Sequence, residues 1–120
     1  MKLRLLEDSI RLRLLEPEVA DIAAGTPVVG KTSMPGGALL YRLSVSGEDV
    51  QAAFIDSTIE VTISEEIAQE WARSQQVSIR GASPIAEGET KILIEKDFTC
   101  INPADGEDQT GTFANPNLQH

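Results

Sequence analysis

The first fifteen residues alternate between apolar and charged side chains, and the phase of this alternation changes once. In the first run the apolar residues Leu3 and Leu5 occupy odd positions, and in the second run Ile10, Leu12 and Leu14 occupy even positions. A period of two indicates half-buried strands, and a change of phase moves the apolar side chains to the opposite face, so a turn must separate two strands. The segment 7–9 supplies turn-forming residues. We predict a β-hairpin centred on Asp8 and Ser9, with Leu5 opposite Leu12 and Arg4 opposite Arg13.

The predicted hairpin concentrates positive charge in an otherwise acidic chain. Residues 1–15 hold four bases and two acids, a net charge of +2, whereas the rest holds 6 bases and 17 acids, a net charge of −11. Arginines on adjacent strands could bind a phosphate or carboxylate through paired hydrogen bonds. The alternative is an exposed sheet face whose charges pair with the protein's own carboxylates. The candidate anion-binding residues are Lys2, Arg4, Arg11 and Arg13.

Two short helices and several further strands follow. Pro17 suits a first helical turn and Gly25 a helix end, which predicts a helix over 17–24. Ser64 is a good N-cap for a second helix over 65–75, with Ile67 and Trp71 on its buried face. Further strands are predicted at 27–33, 38–46, 50–54, 59–63, 77–79 and 91–98, with 81–84 ending the strand that begins at residue 77.

These elements predict an α+β fold: a mostly antiparallel sheet or small barrel of about seven or eight strands with two short helices. The order strand-strand-helix-strand-strand occurs twice, over 2–46 and 50–98. The halves are either two ββαββ units related by a pseudo-twofold axis or a coincidence of apolar pattern. An alignment of Ile10 with Ile59, with one skipped residue, places Val19 on Ile67 and Ala23 on Trp71.

Length and charge bound the remaining possibilities. A chain of 120 residues with 41% hydrophobic residues is long enough for one core. We predict one domain over 1–101 and an irregular acidic tail over 102–120. No apolar run is long enough to span a membrane, and charges stand where a signal peptide needs apolar residues, so a cytoplasmic location is expected. A net charge of −9 disfavours nucleic acid as a partner.

Candidates for catalysis or metal binding are few. The single cysteine, Cys100, excludes an intrachain disulfide, and the single histidine, His120, lies at the last position. Asp105, Glu107 and Asp108 carry oxygen ligands, but their spacing does not fit an ordered calcium loop. Because the chain also lacks a nucleophile with a matching base, we expect no catalytic residue, metal or cofactor, and the enzyme hypothesis is disfavoured.

Three stretches resemble a known family: MKLRLLEDSIRLRL at the start, AQEWA in the centre and KILIEKDFTC late in the chain. They are similar to a family of small bacterial proteins with no assigned function. The resemblance implies a bacterial, single-domain, cytoplasmic protein and carries over no catalytic residue. The second half also resembles, in the order of its elements, the swapped-hairpin transcription regulators.

We therefore expect a non-enzymatic, soluble binding or protein-interaction module, either a homodimer or a protein with another protein partner. Two alternatives stay open. The first is a nucleic-acid-binding barrel like that of the transcription regulators. The second is binding of a small anionic ligand through the arginine-rich face of the N-terminal hairpin.

Overall fold

A computed structural model describes residues 1–98, which form eight strands and two helices. The predicted boundary after residue 101, the acidic tail and Cys100 lie outside the described residues. The elements in chain order are β1 (Lys2–Leu5), β2 (Ser9–Leu14), α1 (Glu16–Ala23), β3 (Val28–Met34), β4 (Gly37–Val45), β5 (Gln51–Ile55), β6 (Thr58–Ile63), α2 (Glu65–Arg73), β7 (Ser78–Ile85) and β8 (Gly88–Lys96).

The strands form two four-stranded sheets, and each sheet takes one hairpin from each half of the chain. The first sheet has the order β1-β2-β8-β7 and the second sheet the order β3-β4-β6-β5. The central pairs, β2 with β8 and β4 with β6, are parallel, whereas the outer pairs are antiparallel. The predicted α+β class with eight strands and two short helices is confirmed. The barrel alternative is wrong, because the strands form two separate sheets.

The two ββαββ halves have equivalent strand registers. Lys2 lies opposite Arg13 in the first half, and Gln51 lies opposite Thr62 in the second, which is the same pair moved by 49 positions. The second hairpins correspond after a shift of 51 positions, since Val28 lies opposite Leu43 and Ile79 opposite Ile94. The parallel pairs correspond by the same two shifts: Leu12 corresponds to Val61 by 49 positions and Leu43 to Ile94 by 51, so the pair Leu12–Ile94 of the first sheet matches the pair Val61–Leu43 of the second. The pseudo-twofold hypothesis therefore holds in topology and in register.

The two helices correspond by the same shift of 49 positions as the first hairpins. Val19 and Ile22 are buried in α1, and their counterparts 49 positions later, Ala68 and Trp71, are buried in α2. The alignment that placed Val19 on Ile67 and Ala23 on Trp71 was wrong. The extra residues of the second half lie after these helical positions, where the shift grows to 51.

The inner faces of both sheets and the buried faces of both helices form one core. Trp71 is its largest fully buried side chain, and its Nε1–H donates a hydrogen bond to the Val77 carbonyl at 3.1 Å. As predicted, Ser64 caps α2, because its Oγ accepts the Ile67 N–H at 3.1 Å. The helices follow β2 and β6 directly, at the ends of the strands that lie away from the hairpin turns.

Two local expectations were wrong. The N-terminal hairpin places Leu5 opposite Ile10 and Arg4 opposite Arg11, because its turn is earlier than predicted and the Leu6 N–H binds the Ser9 carbonyl at 3.2 Å. Strand β7 also continues through 81–84 to Ile85. Its Pro84 is tolerated because β7 is an edge strand of the first sheet.

A candidate anion-binding face

The structure brings the four predicted cations together on the outer face of the first sheet. Because side chains alternate along a strand, burial of Leu12 and Leu14 directs the odd-numbered residues of β2 outward. Arg4 lies opposite Arg11 and Lys2 opposite Arg13, so the two strands present adjacent pairs of bases. A cavity of about 240 Å³ is lined by Lys2, Leu3, Arg4, Arg11 and Arg13.

Two further cations lie on the same face. In register across the sheet, Leu93 of β8 lies beside Arg11 on one side and Arg80 on the other. Lys91 lies beside Ser9 by the same pairing. Sequence reasoning missed Arg80 and Lys91, because a pairing between β2 and β8 leaves no local pattern. The face therefore carries six of the ten Lys and Arg residues: Lys2, Arg4, Arg11, Arg13, Arg80 and Lys91.

The corresponding face of the second sheet is an internal comparison. Its strands have the same topology and register, yet they contribute only two bases, Lys31 and Arg42, and Arg42 lies 3.8 Å from Glu60. The counterparts of the six cations are Gln51, Ala53, Glu60, Thr62, Val29 and Leu40. The fold therefore does not require a basic outer face, and the charge of the first sheet is a property of its sequence.

One carboxylate organises two of the arginines. Glu95 Oε1 accepts hydrogen bonds from Arg11 Nε at 2.5 Å and from Arg13 Nε at 2.9 Å. Burial of the Glu95 carboxyl raises its pKa, but the hydrogen bonds and charges of Arg11 and Arg13 outweigh burial and hold the pKa below its ordinary value. Since both contacts use Nε, the terminal amino groups of both arginines have no hydrogen-bond partner within residues 1–98.

The other two predicted cations differ in their surroundings. Lys2 Nζ lies 3.1 Å from Oδ2 of the buried Asp97. Arg4 is exposed and forms no ion pair with another residue of the described part of the chain. Glu95 and Asp97 therefore offset part of the positive charge of the face, and Arg4 adds to the charge that remains.

The arrangement suits binding of an anion by fixed donors. Guanidinium groups donate hydrogen bonds in a planar fork that matches a phosphate or carboxylate, and they do not release a proton at physiological pH. Within residues 1–98 no group of three His, Cys, Asp or Glu side chains could hold a metal ion. Asp105, Glu107 and Asp108 lie outside the described residues. None of the helices in this part of the chain is long and apolar enough to cross a membrane.

Comparison with known proteins agrees with the predicted resemblance. Residues 1–117 match the model of a family of unknown function, DUF7009. The chain belongs to this family. The expectation of a family without an assigned function is therefore confirmed, and membership in DUF7009 names no active residue. No curated protein and no solved structure matches the chain.

Proposed function

We propose that this protein is a non-enzymatic binding module that holds a small anionic ligand on the outer face of the first sheet. The observation that carries the proposal is the unequal charge of two equivalent faces. Six bases lie on the outer face of the first sheet and two on the outer face of the second, although the strand registers are the same. We propose further that the protein acts in the bacterial cytoplasm.

The geometry favours a compact ligand with more than one negative charge. Glu95 holds the Arg11 and Arg13 side chains side by side, and Arg4 lies opposite Arg11. A phosphate monoester or a dicarboxylate could accept hydrogen bonds from the three guanidinium groups at once. Donors that are already fixed lose little conformational entropy on binding, which favours affinity.

Nucleic acid fits the face less well. The strand positions that form this face carry no aromatic side chain on which a base could stack. The net charge of −9 opposes approach of a long polyanion, because the rest of the chain repels its phosphates. A small ligand contacts only the basic face and is affected less by the distant acids, since salt screens them.

Isothermal titration calorimetry with inorganic phosphate and with citrate tests the proposal. Arg4→Ala should weaken binding about tenfold, since it removes a charge-assisted contact. The same variant should not change thermal stability, because Arg4 has no ion pair within residues 1–98. Lys31→Ala is the matched control: it removes one exposed charge from the second sheet, and binding should stay unchanged.

Two outcomes would overturn the proposal. If neither phosphate nor citrate gives a binding heat at low salt, the proposal of an anion-binding face is wrong. Equal loss of affinity in Arg4→Ala and Lys31→Ala would show an effect of net charge rather than a site. A salt-sensitive mobility shift with duplex DNA, lost in Arg4→Ala, would instead favour the transcription-regulator alternative.

A further inference from the structure

A second surface lies at the end of the molecule that carries the four hairpin turns. Six large apolar side chains there are exposed, each by between 44% and 69%: Leu5, Leu6, Met34, Phe54, Ile55 and Ile85. They lie in the turns at 6–8, 35–36, 56–57 and 86–87 or in the strand residues beside them. Such a concentration of apolar side chains at one end is typical of an interaction surface.

An apolar cavity opens within this surface. It has a volume of about 450 Å³ and takes its lining from both sheets. The first sheet contributes Leu5, Ile10 and Ile85, and the second contributes Leu39, Phe54 and Ile59. Because the helices follow the opposite ends of β2 and β6, they do not cover this opening. The cavity is therefore a gap between the turn ends of the two sheets, large enough to admit a bulky side chain.

The turns around the cavity are acidic. They carry four carboxylates and no base: Glu7, Asp8, Asp56 and Glu87. This charge opposes an anionic lipid surface, since like charges repel. It also opposes a second copy docked end to end, which would bring the acidic turns of both copies together. The same charge opposes the chain's own residues 102–120, which include three acids and no Lys or Arg. A partner with positive charges around an apolar side chain complements both features.

We propose that the turn end binds a partner protein through a short segment in which large apolar side chains are flanked by Lys or Arg. An aromatic or leucine side chain of the segment enters the cavity and contacts Phe54. The flanking bases lie against the acidic turns and speed the encounter. This surface is separate from the basic face of the first sheet, so either proposal stands without the other.

A labelled peptide, Lys-Lys-Leu-Phe-Leu-Lys-Lys, measured by fluorescence anisotropy against the full chain, tests this inference. Two companion peptides separate charge from apolar contact: one replaces all lysines by glutamates, and the other replaces the three apolar residues by serines. Binding of the first peptide should be about tenfold tighter than that of either companion. Equal binding of the first and the serine peptide would show attraction to net charge alone and would overturn the proposal.

A pair of matched variants places the site. Phe54→Ser should weaken binding of the first peptide about fivefold or more, because the cavity loses its most exposed apolar wall. Val29→Ser removes an exposed apolar side chain from the outer face of the second sheet and should leave binding unchanged. Equal effects of the two variants would overturn the assignment. If light scattering shows a dimer that Phe54→Ser abolishes, the partner is a second copy of the chain and the proposal is wrong. If the protein binds vesicles and Phe54→Ser abolishes that binding, the partner is a membrane and the proposal is also wrong.

Discussion

The two arginines that bind Glu95 allow the sharpest test of the basic face. The change is the double variant Arg11→Ala/Arg13→Ala, which removes both donors from the carboxylate while it leaves the strand backbone intact. Only 12% of the Glu95 side chain is exposed, so water replaces the lost donors incompletely. A carboxylate left without partners in such a place costs stability, because its desolvation is no longer offset.

The magnitude follows from the exposure of the partners. Loss of a hydrogen bond to a charged group costs about 1.5–3 kcal/mol when the group stays buried. The arginine side chains are 32% and 41% exposed, so solvent screens the interaction and lowers its contribution. We therefore expect the double variant to lower the free energy of unfolding by about 2 kcal/mol, or the melting temperature by about 7 °C.

Urea unfolding followed by Trp71 fluorescence provides the assay, since the indole is fully buried. The triple variant that adds Glu95→Gln is the control: it removes the unpaired charge and should recover about 1 kcal/mol. A double variant as stable as the parent would refute the argument. So would a triple variant less stable than the double, because Glu95 would then have partners other than the two arginines.

Three more outcomes are expected. The folded state lowers the Glu95 pKa below the ordinary 4.5, so Glu95 stabilises the fold above pH 4.5. This contribution disappears as the pH falls through the folded pKa, so the urea midpoints of Glu95→Gln and the parent should converge in acid. Gly81→Ala should cost about 1–3 kcal/mol in thermal unfolding, because a Cβ would lie 2.6 Å from two side-chain atoms of the buried Val50, and an unchanged melting temperature would contradict this reason. Ser64→Ala should cost about 1 kcal/mol through loss of the α2 cap, and an unchanged urea midpoint would show that the cap contributes nothing.

Local patterns in the sequence predicted the elements and the shared outer face of the four candidate cations, Lys2, Arg4, Arg11 and Arg13. Period-two alternation places Arg11 and Arg13 on the face away from Leu12, and this holds whatever the strand pairs with. Ser64 as a helix cap is equally local, since it needs only the residues that follow it. Each of these predictions depends on neighbours within a few positions.

Features that depend on distant pairing could not be predicted. The β2–β8 pairing joins positions 82 residues apart, and it brings Glu95 beside Arg13 and Lys91 beside Ser9. Nothing in the alternation of β8 distinguishes a parallel from an antiparallel neighbour. The hairpin register was wrong for a related reason: turn length sets register, and the positive φ of 51° at Glu7 is not implied by its residue type.

The most direct test of the central claim is a titration of the isotope-labelled full chain with inorganic phosphate, followed by nuclear magnetic resonance of backbone and arginine side-chain N–H groups. An anion site on the basic face predicts saturable shifts of the side-chain N–H signals of Arg4, Arg11 and Arg13, and none at Arg42 of the second sheet. Shifts confined to the second sheet or to the turn end, or shifts that grow linearly without saturation, would contradict the assignment of the basic face as an anion site.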